Sequence, residues 1–147
     1  MGTYTQILYQ IVFATNRREG TLSKDKRSLL YRHIQGILTN KGCHPYLING
    51  VEDHLHIVTH LHPTVPLAKL VHTIKLSSSR FIKETGIFPG FTGWQDGYSA
   101  FTYSIGQKRL LIDYVEHQEE HHRRTSFIEE YKALLLANDI PFDESFL

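Results

Sequence analysis

Two short stretches 60 residues apart carry the residue types of a single chemical site: Asp53-His54-Leu55-His56-Ile57-Val58 and Tyr114-Val115-Glu116-His117-Gln118. The first is a His–hydrophobic–His triplet in an apolar run. Alternate side chains of a strand share a face, so His54 and His56 point the same way. The second is a tyrosine followed four residues later by a glutamine, and on a helix those two positions share a face. Two imidazoles can hold a divalent metal, and a tyrosine hydroxyl can be a nucleophile. Together they imply metal-assisted attack of a tyrosine on a phosphodiester.

Neither pattern is specific alone. The chain has ten histidines, and a His-x-His on a strand is commonly a surface pair or a satisfied core pair. His54, His56, His60 and His62 share one parity, but each step of two residues covers ~6.6 Å, so only neighbours can share a metal. The choice is between pairs: His54 and His56 sit within the strand proper, and His60 and His62 approach Pro63 and a strand end. A competing pattern is His117-Gln118-Glu119-Glu120-His121, an H-x-x-E-H arrangement with zinc-peptidase spacing. It lies in a segment crowded with Glu and His, where a chance match is expected. Glu116 to Arg124 otherwise reads as a solvated, charged helix face.

The remaining chain must position these residues. Tyr4 to Thr15, rich in aromatic and β-branched residues, predicts a strand. Arg17 and Arg18 follow in a basic loop. Ser23 stands as an N-cap for a helix through Leu38 that ends at Gly42. Cys43 to Val51 and His54 to Leu61 predict a hairpin, with Asn49-Gly50 near its turn. Leu67 to Thr85 carries a helical apolar stripe. A glycine- and proline-marked loop leads to a short strand over Phe101 to Ile105. Helices are then expected over Gln107 to Arg124 and Phe127 to Leu136. This β-α-β-β-α-β order predicts an α+β ferredoxin-like sandwich, an antiparallel sheet with helices on one face, plus C-terminal helices.

The 147 residues suffice for one domain with a sizeable core, spanning residues 1–147. The single cysteine, Cys43, excludes an internal disulfide and a zinc ribbon. No leader or membrane-spanning run is visible, so a cytoplasmic protein is expected. The net charge of +1 does not advertise a nucleic-acid binder, but the charge is uneven. Lys69 to Lys83 holds four basic residues and no acidic one, whereas eight of the fifteen carboxylates lie between Glu116 and Glu144. A local basic face is all that phosphate binding needs.

The chain resembles the single-tyrosine HUH transposases of the insertion-sequence-200 type, which include the palindrome-associated tyrosine transposases. The resemblance rests on four stretches in order: Asp53 to Val58, Lys75 to Phe81, Trp94 to Phe101, and Tyr114 to His122. It implies a DNA transposase that cleaves and rejoins single-stranded DNA through a 5′-phosphotyrosine intermediate. Tyr114 would be the nucleophile, and His54, His56 and Gln118 would bind Mg²⁺ or Mn²⁺. Two imidazoles and an amide suit Mn²⁺ better than the oxygen-seeking Mg²⁺. The proton acceptor for Tyr114 is open, with the metal, Glu116 and His117 as candidates. The expected partners are hairpin ends of single-stranded DNA and a second copy of the chain, a homodimer whose active sites can form in trans. Arg17, Arg18, Lys69, Lys75, Arg80 and Lys83 would contact phosphates, and Trp94 would stack on a base. A domesticated DNA-hairpin binder without mobility is the alternative, which loss of Tyr114 or of either histidine would have favoured.

Overall fold

The computed structural model describes all 147 residues. Four strands form one antiparallel sheet: β1 (Leu8–Ala14), β2 (Pro45–Gly50), β3 (His54–His60) and β4 (Ser99–Tyr103), in the order β2-β3-β1-β4. The two inner strands are the ones the site needs. Across β1 and β3, Ala14 pairs with His54, Val12 with His56 and Gln10 with Val58. Directly opposed residues share a face. Gln10, Val12, His54 and His56 therefore look out of one side of the sheet, while Ile11, Phe13, Leu55 and Ile57 look out of the other.

Two helices cover that second side. Helix α1 (Arg27–Asn40) buries Leu30, Ile34 and Leu38, each one turn on from the last, and α2 (Leu67–Thr85) buries Leu70, Val71, Ile74, Ser78 and Ile82. These stripes pack with Ile11, Phe13, Leu55 and Ile57 into the main core. Gly86 ends α2 at φ 69, a left-handed position glycine fills without steric cost. We expect Ile34→Ala, at a position with no solvent exposure, to lower unfolding free energy by about 2–5 kcal/mol in denaturant melts. Leu110→Ala, at a position 74% exposed, should change it by no more than ~0.5 kcal/mol.

The C-terminal helices cover the opposite side, so the expected α+β sandwich has helices against both faces of its sheet. Helix α3 (Lys108–Glu116) sets Leu111 and Val115 on Leu8 and Val58. Helix α5 (Phe127–Ala137) sets Leu135 on Val12 and Phe101. Because both faces are covered, all residues of β3 except His60 are buried.

Several element bounds differ from the sequence expectation. Strand β1 begins at Leu8 rather than Tyr4, and β4 lies at Ser99–Tyr103. Ser23 precedes a single 3-10 turn and makes no side-chain cap bond, so α1 itself starts at Arg27. The hairpin turn is Val51 to Asp53, one step beyond Asn49-Gly50. Gly50 is required by close approach: a Cβ there would lie 2.2 Å from the His54 carbonyl oxygen. The helix expected over Gln107 to Arg124 is broken at His117 (φ −99, ψ 28), giving α3 and a short α4 (Gln118–His122). Asn49 explains the break. Its side-chain amide donates to the carbonyls of Val115 (2.9 Å) and Glu116 (3.0 Å), satisfying acceptors that end the helix.

Candidate active site

His54 and His56 lie on β3 with no solvent exposure, roofed by α3, α4 and α5. Each ring is oriented by its Nδ1: His54 against Asp53 Oδ1 at 2.7 Å and His56 against Gln10 Oε1 at 2.7 Å. Gln10 is itself fixed because its Nε2 donates to the Tyr103 hydroxyl at 2.8 Å. Its oxygen therefore faces His56. Both partner oxygens only accept, so both Nδ1 atoms carry the proton. The Nε2 atoms are left pointing away from the sheet, into the space under the C-terminal helices.

Glu130 of α5 fills that space. Its Oε1 lies 3.2 Å from His56 Nε2, 3.5 Å from His54 Nε2 and 3.1 Å from His122 Nε2. Its Oε2 accepts hydrogen bonds from the Tyr114 hydroxyl and from Gln118 Nε2 (3.1 Å). Gln118 is fully buried, with Oε1 3.4 Å from His54 Nε2 and 3.1 Å from His122 Nε2. The break at His117 does not separate Tyr114 from Gln118, since both reach the same Glu130 oxygen. The Tyr114 and His56 ring centroids are 6.2 Å apart. Tyrosine and histidines therefore meet within one chain.

The electrostatics follow from this packing. Burial alone would raise the Glu130 carboxyl, but bonds from His122, His54 and His56 outweigh it and hold the group well below the usual carboxylate range. Burial pushes His56 below the ordinary imidazole value against the opposing pull of Glu130. At His54 the burial penalty is overcome by bonds to Asp53 and Glu130, and its pKa is raised. Burial first, and then the Glu130 charge, push the Tyr114 phenol upward, so it is neutral in the resting site.

The neighbouring helices are pinned by further contacts. The Phe127 ring stacks on His54 with centroids 4.2 Å apart, and the Tyr131 hydroxyl bonds Ser99. Glu119 of α4 receives Arg27 Nη2 at 2.8 Å from the start of α1 and Lys24 Nζ at 3.1 Å from the 3-10 turn before it. Glu116 and His117, two candidates for the tyrosine proton, are exposed, and the hydroxyl bonds neither. His117 and His121 of the H-x-x-E-H pattern are also exposed, on either side of the helix break, and share no gathered ligand group.

Glu130, His122, Gln10 and Asp53 are the site residues that sequence reasoning did not single out. Gln10 had a signal, a lone amide at an inward position of an otherwise apolar strand. Glu130 had none, since Glu129 beside it is chemically identical and only the phase of α5 selects between them.

The expected DNA contacts are scattered. Arg17 and Arg18 follow the β1 end that faces His54, both with left-handed backbone (φ 55 and 53), and Arg18 lines a cavity of about 140 Å³ with Phe127 and Tyr131. Lys69, Arg80 and Lys83 are exposed on α2, across the sheet from the histidines. Lys75 is half-buried and donates to the carbonyls of Gln95 (2.8 Å) and Gly97. Trp94 packs edge-on against Phe13 and Phe91, and its Nε1 donates to Ser78 Oγ at 2.9 Å. Lys75 and Ser78 thus hold the Trp94–Gly97 loop onto α2, so two of the four family-like stretches brace each other.

Comparison with known proteins gives a family and a fold. The family model described as "Transposase IS200 like" matches residues 3–118. No curated protein matches. Among solved structures, a candidate transposase from Deinococcus radiodurans r1 is similar with a TM-score of 0.64 and 21% identity, over 80% of this chain and 95% of that one. A REP-associated tyrosine transposase bound to a REP hairpin is similar with a TM-score of 0.58 and 17% identity, over 83% of this chain and 74% of that one. His122 and Glu130 fall beyond the matched stretch. No helix here is long and apolar enough to cross a membrane. The family match spans most of the chain, including both stretches from which the site was read, and the chain belongs to the IS200-like transposases.

Proposed function

We propose that this DNA transposase cuts and rejoins single-stranded DNA with Tyr114 as nucleophile, at a divalent-metal site built on His54, His56 and Gln118. The observation that carries the reading is the meeting, inside one chain, of the Tyr114 hydroxyl, two pre-oriented histidines and Gln118 around one buried point. The donor set fits a metal: two Nε2 atoms aimed at one space, each with its Nδ1 held from behind, is the usual arrangement of ligating imidazoles. Mn²⁺ suits these nitrogens better than Mg²⁺. A bound cation would polarise a phosphoryl oxygen and favour the phenolate of Tyr114.

The chain's own residues supply the rest. Attack by the Tyr114 oxygen on the scissile phosphorus would form a 5′-phosphotyrosine bond and release a 3′-hydroxyl. Attack by a second 3′-hydroxyl would reverse the step and release Tyr114. The phosphodiester bond is conserved in number, so no nucleotide cofactor is required. Arg17 and Arg18 are placed to guide a strand toward His54, while Lys69, Arg80 and Lys83 offer phosphate contacts for a folded hairpin on the α2 side. The solved neighbour bound to a REP hairpin supports a hairpin substrate. Trp94 fits better as the brace of its loop than as a stacking platform. A homodimer joined through the outer sheet edges, β2 or β4, is the expected assembly, and it need not exchange α3 to complete a site. The domesticated-binder alternative is not favoured, because the tyrosine, both histidines and Gln118 are all present and gathered.

The test is a covalent-adduct assay with single-stranded oligonucleotides from the flanks of the gene, in Mn²⁺ or Mg²⁺. A protein band shifted by DNA on a denaturing gel is expected. Hairpin binding without an adduct on any flank would favour the domesticated binder.

The partner of His56 gives a separate prediction. Gln10→Leu should leave the fold but free the ring. We expect Mn²⁺ affinity to fall by about 10–100-fold in calorimetric titration. The unsatisfied Nδ1 should cost about 1–3 kcal/mol in a metal-free melt.

A further inference from the structure

The Nε2 atoms of His54, His56 and His122 all stand close to Glu130 Oε1; of these groups, the ligand atoms of His54, His122 and Glu130 lie within 4.8 Å of one another, with Oε1 of Gln118 beside His54 and His122. With Nδ1 of His54 and of His56 held by Asp53 and Gln10, the Nε2 atoms of both rings are the ones turned toward Glu130. Imidazole nitrogens this close to a carboxylate oxygen need positive charge among them, a proton or a metal ion. A single metal ion would satisfy the gathered atoms of His54, His122 and Glu130 together.

The spacings agree. Two ligand atoms each ~2.1 Å from one ion stand ~3.0 Å apart at a right angle and ~3.4 Å apart at the tetrahedral angle. The distances from Glu130 Oε1 to the three Nε2 atoms are 3.1, 3.2 and 3.5 Å.

We propose that Glu130 and His122 are themselves metal ligands, so that docking of α5 completes the metal centre of the resting transposase. This deepens the proposed reading of the His54–His56 site and rests on it. The gathered set, the imidazoles of His54 and His122 and the Glu130 carboxylate with His56 and Gln118 beside them, is that of a transition-metal site and discriminates against Mg²⁺. It ties α5, which lies outside the family match, to the metal. Because Glu130 Oε2 also accepts from Tyr114, one carboxylate links the ion to the nucleophile.

The test reads metal binding, without DNA or turnover. Full-length protein is titrated with Mn²⁺ by calorimetry, and its melting temperature is measured with and without the ion. Glu130→Gln preserves the side-chain shape, and Glu129→Gln on the exposed neighbouring position is the control. The expected result is an Mn²⁺ affinity lowered by roughly 100-fold or more in Glu130→Gln, at least the cost of losing a group one step behind a ligand. The ion should raise the melting temperature of the wild type and of Glu129→Gln, but not that of Glu130→Gln. Should Glu130→Gln melt early, the nitrogen couplings seen by pulsed electron paramagnetic resonance of bound Mn²⁺ decide: His122→Ala must lose one imidazole relative to wild type.

Unchanged or tighter Mn²⁺ binding in Glu130→Gln would overturn the assignment, making the carboxylate a competitor for the ion's place. Undiminished imidazole couplings in His122→Ala would overturn it for that residue. A wild type that binds no Mn²⁺ would overturn it outright. A wild type that forms DNA adducts while Glu130→Gln binds normally refutes this inference alone. Mn²⁺ binding that Glu130→Gln abolishes, in a protein forming no adduct, refutes only the strand-transfer reading.

Discussion

Tyr114→Phe is expected to abolish the covalent protein–DNA band while leaving hairpin affinity within about twofold. Removing a nucleophile that forms the covalent intermediate typically costs on the order of 10⁵ or more in rate. No other hydroxyl is placed to replace it: Tyr103 is engaged with Gln10, and Tyr131 with Ser99. The ring itself should stay in place, because Tyr114 packs against His121 and within the Leu8–Val58–Leu111–Val115 cluster. The lost bond is the one to Glu130, worth about 1–3 kcal/mol for a charged acceptor, which a melt will read separately. Binding should survive because the candidate phosphate contacts lie elsewhere, on the loop after β1 and on α2. A retained adduct in this variant would sink the assignment of the nucleophile, and a joint loss of adduct and binding would mean the substitution had disturbed the site's frame.

His56→Ala is expected to remove metal-dependent cleavage altogether. The ring has no solvent exposure and stands between Gln10 and Glu130. Its loss deletes one proposed ligand and leaves the Gln10 oxygen without its partner. Replacing a buried ring also leaves a cavity, so a stability loss of about 2–4 kcal/mol should accompany it. The decisive comparison is the response to added Mn²⁺. Wild type should be stimulated in adduct formation and stabilised in melting, while His56→Ala should show neither across the same concentrations. Cleavage that remains Mn²⁺-dependent at wild-type concentrations would place the metal elsewhere.

Much of this site was legible from residue types and spacing. His54 and His56 share a face because a strand alternates, whatever surrounds it, and the register places them opposite Ala14 and Val12 on an inner strand. The order of elements and the apolar stripes of α1 and α2 follow from local periodicity, and Leu67–Thr85 is observed with the bounds read from sequence. Local pattern failed where a distant side chain intervened. Nothing within Gln107 to Arg124 announces a break at His117; Asn49, on a strand far earlier in the chain, ends α3 by taking its last carbonyls. The charged run after Tyr114 reads as one solvated face, yet Gln118 is fully buried and His122 half-buried because α5 closes over them.

The sequence by itself determined which reactive groups lie on shared faces, since imidazole, phenol and amide at those spacings are properties of composition and of secondary-structure period. Only the tertiary structure decided which groups complete the site. Choosing Glu130 over Glu129, His122 over His121, and Gln10 as the partner of His56 depends on how α4 and α5 dock across the sheet. That docking is set by long-range packing of Leu135, Phe127 and Val115 against β1, β3 and β4, which no local pattern encodes.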